Sequence, residues 1–196
     1  MEKIDEIHRI IKNALRGDLQ SIINVFDYFS QFSNNAIVTK ALYLLTYQII
    51  MNVSVDTSKE CELCGGICCK YGALIPLYSF DIDDLLTIID KENLYRALIC
   101  HGDCYLRRPC PFQDGWRCSV HKYKPYACLS YPFATEEEQI EILRSSEEIS
   151  IVVPKIPSYC LAAKKTWSII YSIIKNFREQ HNRYPSPMEL LQYFIT

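Results

Sequence analysis

The sequence predicts a mainly α protein, α+β at most, in which helices pack around an irregular, cysteine-rich core with at most a small hairpin. Two observations carry this. Apolar residues recur at helical spacing through the first 55 residues and again from Leu161 onward, while all ten cysteines fall between Cys61 and Cys160. A chain of 196 residues supports one domain with a real core, or a domain with a helical annex. We divide it into an N-terminal helical segment (1–55), a cysteine-cluster core (56–160), and C-terminal helices (161–196) that pack with the first segment as one domain.

The elements follow in order. Ile4, Ile7, Ile11 and Leu15 mark a first helix that stops at Gly17. Asp18 caps a second, carrying Ile22, Ile23, Phe26 and Phe29. A third follows Ser33-Asn34-Asn35 and runs to about Met51; Leu42, Leu44, Leu45, Tyr47, Ile49 and Ile50 leave it apolar on nearly all sides, which argues burial. Ala73 to Tyr78 is a short apolar run. Asp81, Asp83 and Asp84 suit the start of a helix through about Asp90, which Lys91 to Ile99 extends or repeats. Gln139 to Val153, with Ile140, Ile142, Ile149, Ile151 and Val152, reads as a weak hairpin. Leu161 to about His181 is a long helix with Trp167, Ile170, Ile173, Ile174 and Phe177 on one face. Ser186-Pro187-Met188-Glu189 then opens a terminal helix with a capping box.

The chemistry concentrates in Cys61-Glu-Leu-Cys64-Gly-Gly-Ile-Cys68-Cys69. A CxxC pair places two sulfurs on one side of a tight turn, within reach of one tetrahedral ion, and Gly65 is free to turn its N–H back toward a thiolate. Side chains of adjacent residues diverge, so Cys68 and Cys69 are not expected to share an ion: one joins Cys61 and Cys64 while its neighbour points to a second metal, another edge of a cluster, or the packing. Further ligands come from Cys110-Pro-Phe, Cys118-Ser-Val-His121 and Lys124-Pro-Tyr-Ala-Cys128, followed by Tyr131-Pro-Phe.

Read together, CxxCGGxCC, CPF, CxxH before KPYAC, and YPF resemble the YkgJ family of zinc- or iron-chelating proteins, named for a CxxCxxxCC cluster. The resemblance covers roughly residues 61 to 160. It implies metal ligation by Cys61, Cys64, Cys68, Cys69, Cys110, Cys118, Cys128 and, where the family carries a downstream cysteine, Cys160. Here that residue reads Cys160-Leu-Ala-Ala rather than Cys-Pro-Gly, and Lys124-Pro125 stands where Arg-Pro is more usual.

Composition excludes little but directs the reading. A net charge of −2 gives no basic footprint for nucleic acid. The opening residues lack the apolar run of a secretory signal, and Ala41 to Val55 falls short of a bilayer span, so a soluble cytoplasmic protein with no membrane partner is expected. In that compartment the cysteines should be thiols. Cys100 and Cys104 lie outside the ligand pattern and read as small apolar or bystander thiols, with His101 a surface residue. His121 is a loop histidine or a ligand in place of a cysteine. Tyr123, Tyr126 and Tyr131 should wall the site from water.

Eight thiolates suffice for two four-coordinate sites, or for one cluster and one structural ion. Ligand softness does not separate an iron–sulfur cluster from Zn2+. The expected function is a noncatalytic metal protein with a redox or metal-handling role, with a protein partner left open. The alternative is a small S-adenosylmethionine-dependent protein-lysine N-methyltransferase with the cluster as scaffold, because the cysteine pattern is also similar to that of flagellin lysine N-methylases. The six glycines form no GxGxxG fingerprint.

Overall fold

The computed structural model describes residues 2–32, 34–133, 136–144 and 151–195. It is mainly α, with two small sheets in the middle of the chain. Helices α1 (Glu2–Leu15), α2 (Leu19–Ser30) and α3 (Ala36–Val53) form as their periodicity predicts. Gly17 makes the first turn at φ 91°, a left-handed conformation that suits glycine, with Val53 packed 3.2 Å from where a Cβ would sit. Asp18 caps α2 by accepting from the Ser21 N–H at 2.8 Å, and Asn35 caps α3 by accepting from the Ile37 N–H at 2.9 Å.

Every residue of α3 from Leu42 to Ile50 is buried. By length and composition alone α3 would also cross a bilayer. Its polar groups find partners inside the protein, as burial requires: the Tyr43 hydroxyl donates to Pro185 O at 2.7 Å and the Tyr47 hydroxyl to Val152 O at 2.8 Å.

The middle of the chain is made of short pieces. Helices α4 (Ser58–Cys64) and α5 (Ile67–Lys70) hold the first cysteines, followed by β1 (Ile75–Leu77), α6 (Ser79–Leu86) and α7 (Lys91–Ala97). Strands β2 (Leu98–His101) and β3 (Asp103–Leu106) form a hairpin, and β1 pairs antiparallel with the other side of β3. A second, two-stranded sheet joins β4 (Gln113–Asp114) to β5 (Arg117–Cys118); a 3₁₀ turn (His121–Tyr123) and α8 (Tyr126–Ser130) follow. Helices α9 (Glu136–Arg144), α10 (Leu161–His181) and α11 (Pro187–Gln192) complete the described chain. Ser186 and Glu189 form the predicted capping box on α11.

Several expectations are corrected. The helix from Asp81 begins earlier, at Ser79, and ends at Leu86. The helix from Lys91 stops at Ala97 because Leu98 turns extended (ψ 160°) and pairs with Leu106. The hairpin at Gln139–Val153 is not found in its first half, which is α9; Ile142 packs against the helical core from a helix, so its spacing from Ile140 was a false period of two. Residues 145–150, Ile149 among them, lie outside the described residues. Cys100 and Cys104 are joined in a disulfide rather than left as thiols, because the hairpin places them directly opposite each other with Cα atoms 4.1 Å apart.

Two apolar cores result. The first unites α1, α2 and α3 with α10 and α11, and takes in Leu129, Phe133 and Val152. The second is smaller and belongs to the middle: Ile75, Leu77, Leu85, Leu94, Ala97, Leu98, Leu106 and Val120.

A buried charge cluster ties the two regions. Lys12 of α1, 1% exposed, donates to Asp81 Oδ1 at 2.5 Å and Asp84 Oδ2 at 2.7 Å, and Arg16 reaches Asp84 at 2.9 Å. Asp81 is 0% exposed and also accepts the Tyr78 N–H at 3.1 Å and the Tyr126 N–H at 2.9 Å. It does cap α6, as its place in the sequence suggested, but its larger role is to hold α1, α6 and α8 together.

Candidate metal centre

Cys61 and Cys64 sit one turn apart at the end of α4, so they share a face of that helix. Gly65 and Gly66 then reverse the chain into α5, both at φ 65°. The Gly65 N–H is spent on the Cys61 and Glu62 carbonyls as a helix cap, so the expected turn toward a thiolate is replaced by a helix terminus. Gly66 meets a further demand. A Cβ there would lie 2.5 Å from Gln113 Nε2 and 3.2 Å from Trp116 O. That close approach docks the β4–β5 hairpin, with Gln113 Nε2 donating to Gly65 O (3.4 Å) and Gly66 O (3.3 Å). The Cys110 N–H donates to Cys69 O at 2.8 Å and fastens the second cysteine segment to the first.

Cys160 arrives from the other side as the residue preceding α10. That helix packs along α4, and Lys165 pins the pair by donating to Asp56 O (2.7 Å) and Glu60 Oε2 (3.0 Å). All eight predicted ligands are free thiols gathered in one region.

Their surroundings sort them. Cys61 and Cys160 pack against the helical core, whereas Cys110, Cys118 and Cys128 pack against the small core of the middle. Electrostatics follows the same division. Burial pushes the Cys160 thiol up, and Cys61 and Cys64 push it further. Burial raises Cys110 and Cys118 as well, and drives Cys128 to about 12, with Cys110, Cys69 and Cys118 adding to the rise.

The groups meet at the adjacent pair. The Cys68 thiol is hydrogen-bonded to Cys69; that bond, with burial and with the neighbouring Cys160 and Cys61, holds Cys68 well above its ordinary range. The same bond, helped by Arg108 and Lys124, lowers Cys69. Cys69 acts in turn on Cys110, Cys118 and Cys128. Cys61 also feels Cys69, so the two groups are neighbours rather than remote sites.

The thiols converge without being set around one point. Among the described residues, no group of three or more His, Cys, Asp or Glu side chains is placed to hold an ion. Each cysteine has one side-chain torsion with three staggered positions, so ligation needs rotamer changes rather than backbone movement wherever the Cβ atoms already face one another.

Two cations stand beside the second group. Lys124 lowers Cys69, Cys118 and Cys128, and Cys61 of the first group as well, and Arg108 lowers Cys69 and Cys110. Sequence reasoning noted Lys124 only as part of a motif and did not single out Arg108, Gln113 or Gly66.

Of the three tyrosines expected to wall the site, Tyr131 lies at it: its hydroxyl meets that of Tyr159 at 2.5 Å, and burial, Tyr159, Cys160 and Cys68 all raise it. Tyr123 packs on the small core. Tyr126 instead packs against His8 and Tyr78 at the buried charge cluster. His121 is exposed and opens the 3₁₀ turn. A depression of about 350 Å³, lined by Lys70, Tyr71, Pro109, Gln113 and Gly115, reaches the second group at Cys110. Comparison with protein-family models, curated proteins and solved structures returns no match, so the functional reading rests on these residues.

Proposed function

We propose that the protein binds soft metal in two neighbouring four-thiolate sites, Cys61/Cys64/Cys68/Cys160 and Cys69/Cys110/Cys118/Cys128, in a noncatalytic redox or metal-handling role. The observation that carries this is eight free thiols packed against two cores, Cys61 and Cys160 on the helical one and Cys110, Cys118 and Cys128 on the small one, with the adjacent Cys68 and Cys69 between them. The donor chemistry fits. Burying several thiols together raises the cost of ionising them, and a bound cation removes that cost. Zinc or an iron–sulfur cluster accepts four thiolates and would supply, when bound, a structural cross-link or an electron carrier respectively. Arg108 and Lys124 balance the negative charge of the second site, Tyr131 covers the first, and Gln113 holds the two cysteine segments at fixed separation. The resemblance to the YkgJ family supports the same ligand set.

Elemental analysis and visible spectra of protein purified without oxygen test the reading. About two zinc equivalents, or roughly eight iron with matching sulfide for two cubane clusters, are expected. Cys160→Ser and Cys128→Ser should each remove about half of the metal, from different sites. Natively folded, metal-free protein with all eight thiols titrating freely would sink it. Binding of S-adenosylmethionine by the metal-loaded protein would instead favour the methyltransferase alternative.

A further inference from the structure

The tip of the β2–β3 hairpin carries chemistry that the metal reading does not use. Cys100 and Cys104 are cross-strand partners joined by a disulfide, with His101, Gly102 and Asp103 between them. Gly102 makes the turn at φ 88°. At the base of the hairpin, Leu98 and Leu106 face each other and are 4% and 1% exposed. That base is held by packing and by the pairing of β3 with β1. The tip is different: Cys100 through Asp103 are all exposed.

A covalent bond at this place has little to stabilise. The stabilisation a disulfide gives grows with the length of the loop it closes, and this loop holds three residues that the ladder already brings together. Exchange, by contrast, needs access to a sulfur and a leaving thiol. Cys100 provides the access, since it is exposed, and Cys104 is half-buried against the small core. The other eight cysteines of the same molecule are free thiols.

We propose that the Cys100–Cys104 pair is a reversible exchange site for an external dithiol. A thiolate of the dithiol attacks Sγ of Cys100 and forms a mixed disulfide; the Cys100–Cys104 bond breaks, and Cys104 leaves as a thiolate that takes a proton from water. The second thiol of the dithiol, losing its proton, attacks its own sulfur in the mixed disulfide and releases Cys100, which is protonated. Two electrons and two protons pass to the pair, and the dithiol becomes a disulfide. This reading does not depend on metal at the other eight cysteines. In a reducing compartment the same exchange would hold the pair as the dithiol, and the oxidised form of the external dithiol would return it to the disulfide by the reverse steps.

The test uses the full-length protein under anaerobic conditions, equilibrated in mixtures of reduced and oxidised dithiothreitol, acid-quenched, alkylated and mapped by mass spectrometry. Cys100 and Cys104 should open and close together and reversibly, at a rate at least about tenfold faster than global unfolding. A pair that stays closed until the protein unfolds, or that does not re-form in the folded protein, would overturn the proposal. A second measurement fixes the point of attack. Oxidised glutathione should modify Cys100 in Cys104→Ser about tenfold faster than it modifies Cys104 in Cys100→Ser, both variants keeping their helical circular dichroism. Equal rates, or the reverse order, would show that Cys100 is not the entry point.

Discussion

The helical frame and the cysteine-rich middle solve the same problem with different means. The frame buries large side chains such as Ile22, Ile49, Ile50 and Ile170 at or below 1% exposure, and helices from both ends of the described chain share that core. The middle builds its core from eight aliphatic residues on strands of three or four residues, on short helices and, at Val120, in a loop. Its turns close on thiols and on one docked hairpin. Packing suffices for the first region, whereas the second leans on a charge cluster borrowed from α1 and, if it binds metal as proposed, on thiolate cross-links.

Removing the cross-links should give the largest effect. Structural zinc contributes about 10 to 16 kcal/mol of apparent binding energy in small domains. Chelation of metal-loaded protein should therefore abolish hydrogen-exchange protection between residues 61 and 128 while leaving α3 and α10 protected. Uniform retention of protection in the middle would erase the contrast between the regions.

Breaking the junction comes next. Lys12→Ala leaves Asp81 buried with only part of its partner set, a loss of about 3 to 5 kcal/mol. Because Lys12 belongs to the frame and Asp81 to the middle, denaturant unfolding should become less cooperative across regions as well as earlier. A shift confined to α1 would show that the cluster is local.

The smallest effect lies wholly in the frame. Arg183 and the Ser186 N–H hold Glu189 down from an ordinary 4.5 to about 2. A depressed carboxylate stabilises the fold above its unfolded value, and that contribution is lost as pH falls from about 4.5 to about 2. Glu189→Gln should cost at most about 1 kcal/mol near neutral pH, and the gap from the parent should close by about pH 2 in thermal melts. A gap that persists there would point to packing rather than charge.

The regions also differ in how far the sequence reveals them. Helices α1, α2, α3, α10 and α11 announce themselves because period, cap and stop all lie within a few residues of one another, as at Asp18, Asn35 and Ser186. Strand β2 does not: Leu98 is extended because Leu106 waits across the turn, a condition that no local window carries. The disulfide was missed for the same reason. Compartment chemistry argued for thiols, but strand register decides which sulfurs meet. The eight cysteines that the family resemblance picked out are the ones the structure leaves as free thiols. That resemblance was silent on Gly66, which must admit Gln113 from 47 residues away, and on the approach of Arg108 and Lys124 to Cys69, since both bring together segments far apart in the chain.

The burial of α3 has a consequence in time. The Tyr43 hydroxyl finds its acceptor at Pro185, 142 residues later. At translation speeds of about 5 to 20 residues per second, that partner emerges roughly 7 to 30 s after Tyr43. For most of that interval the apolar surface of α3 is without α10 and α11, and the sulfurs leave the ribosome before the frame around them can close. The nascent chain therefore shows a greasy helix and its thiols at the same time, and, if the second group binds metal as proposed, a metal donor would reach it most easily before the frame closes.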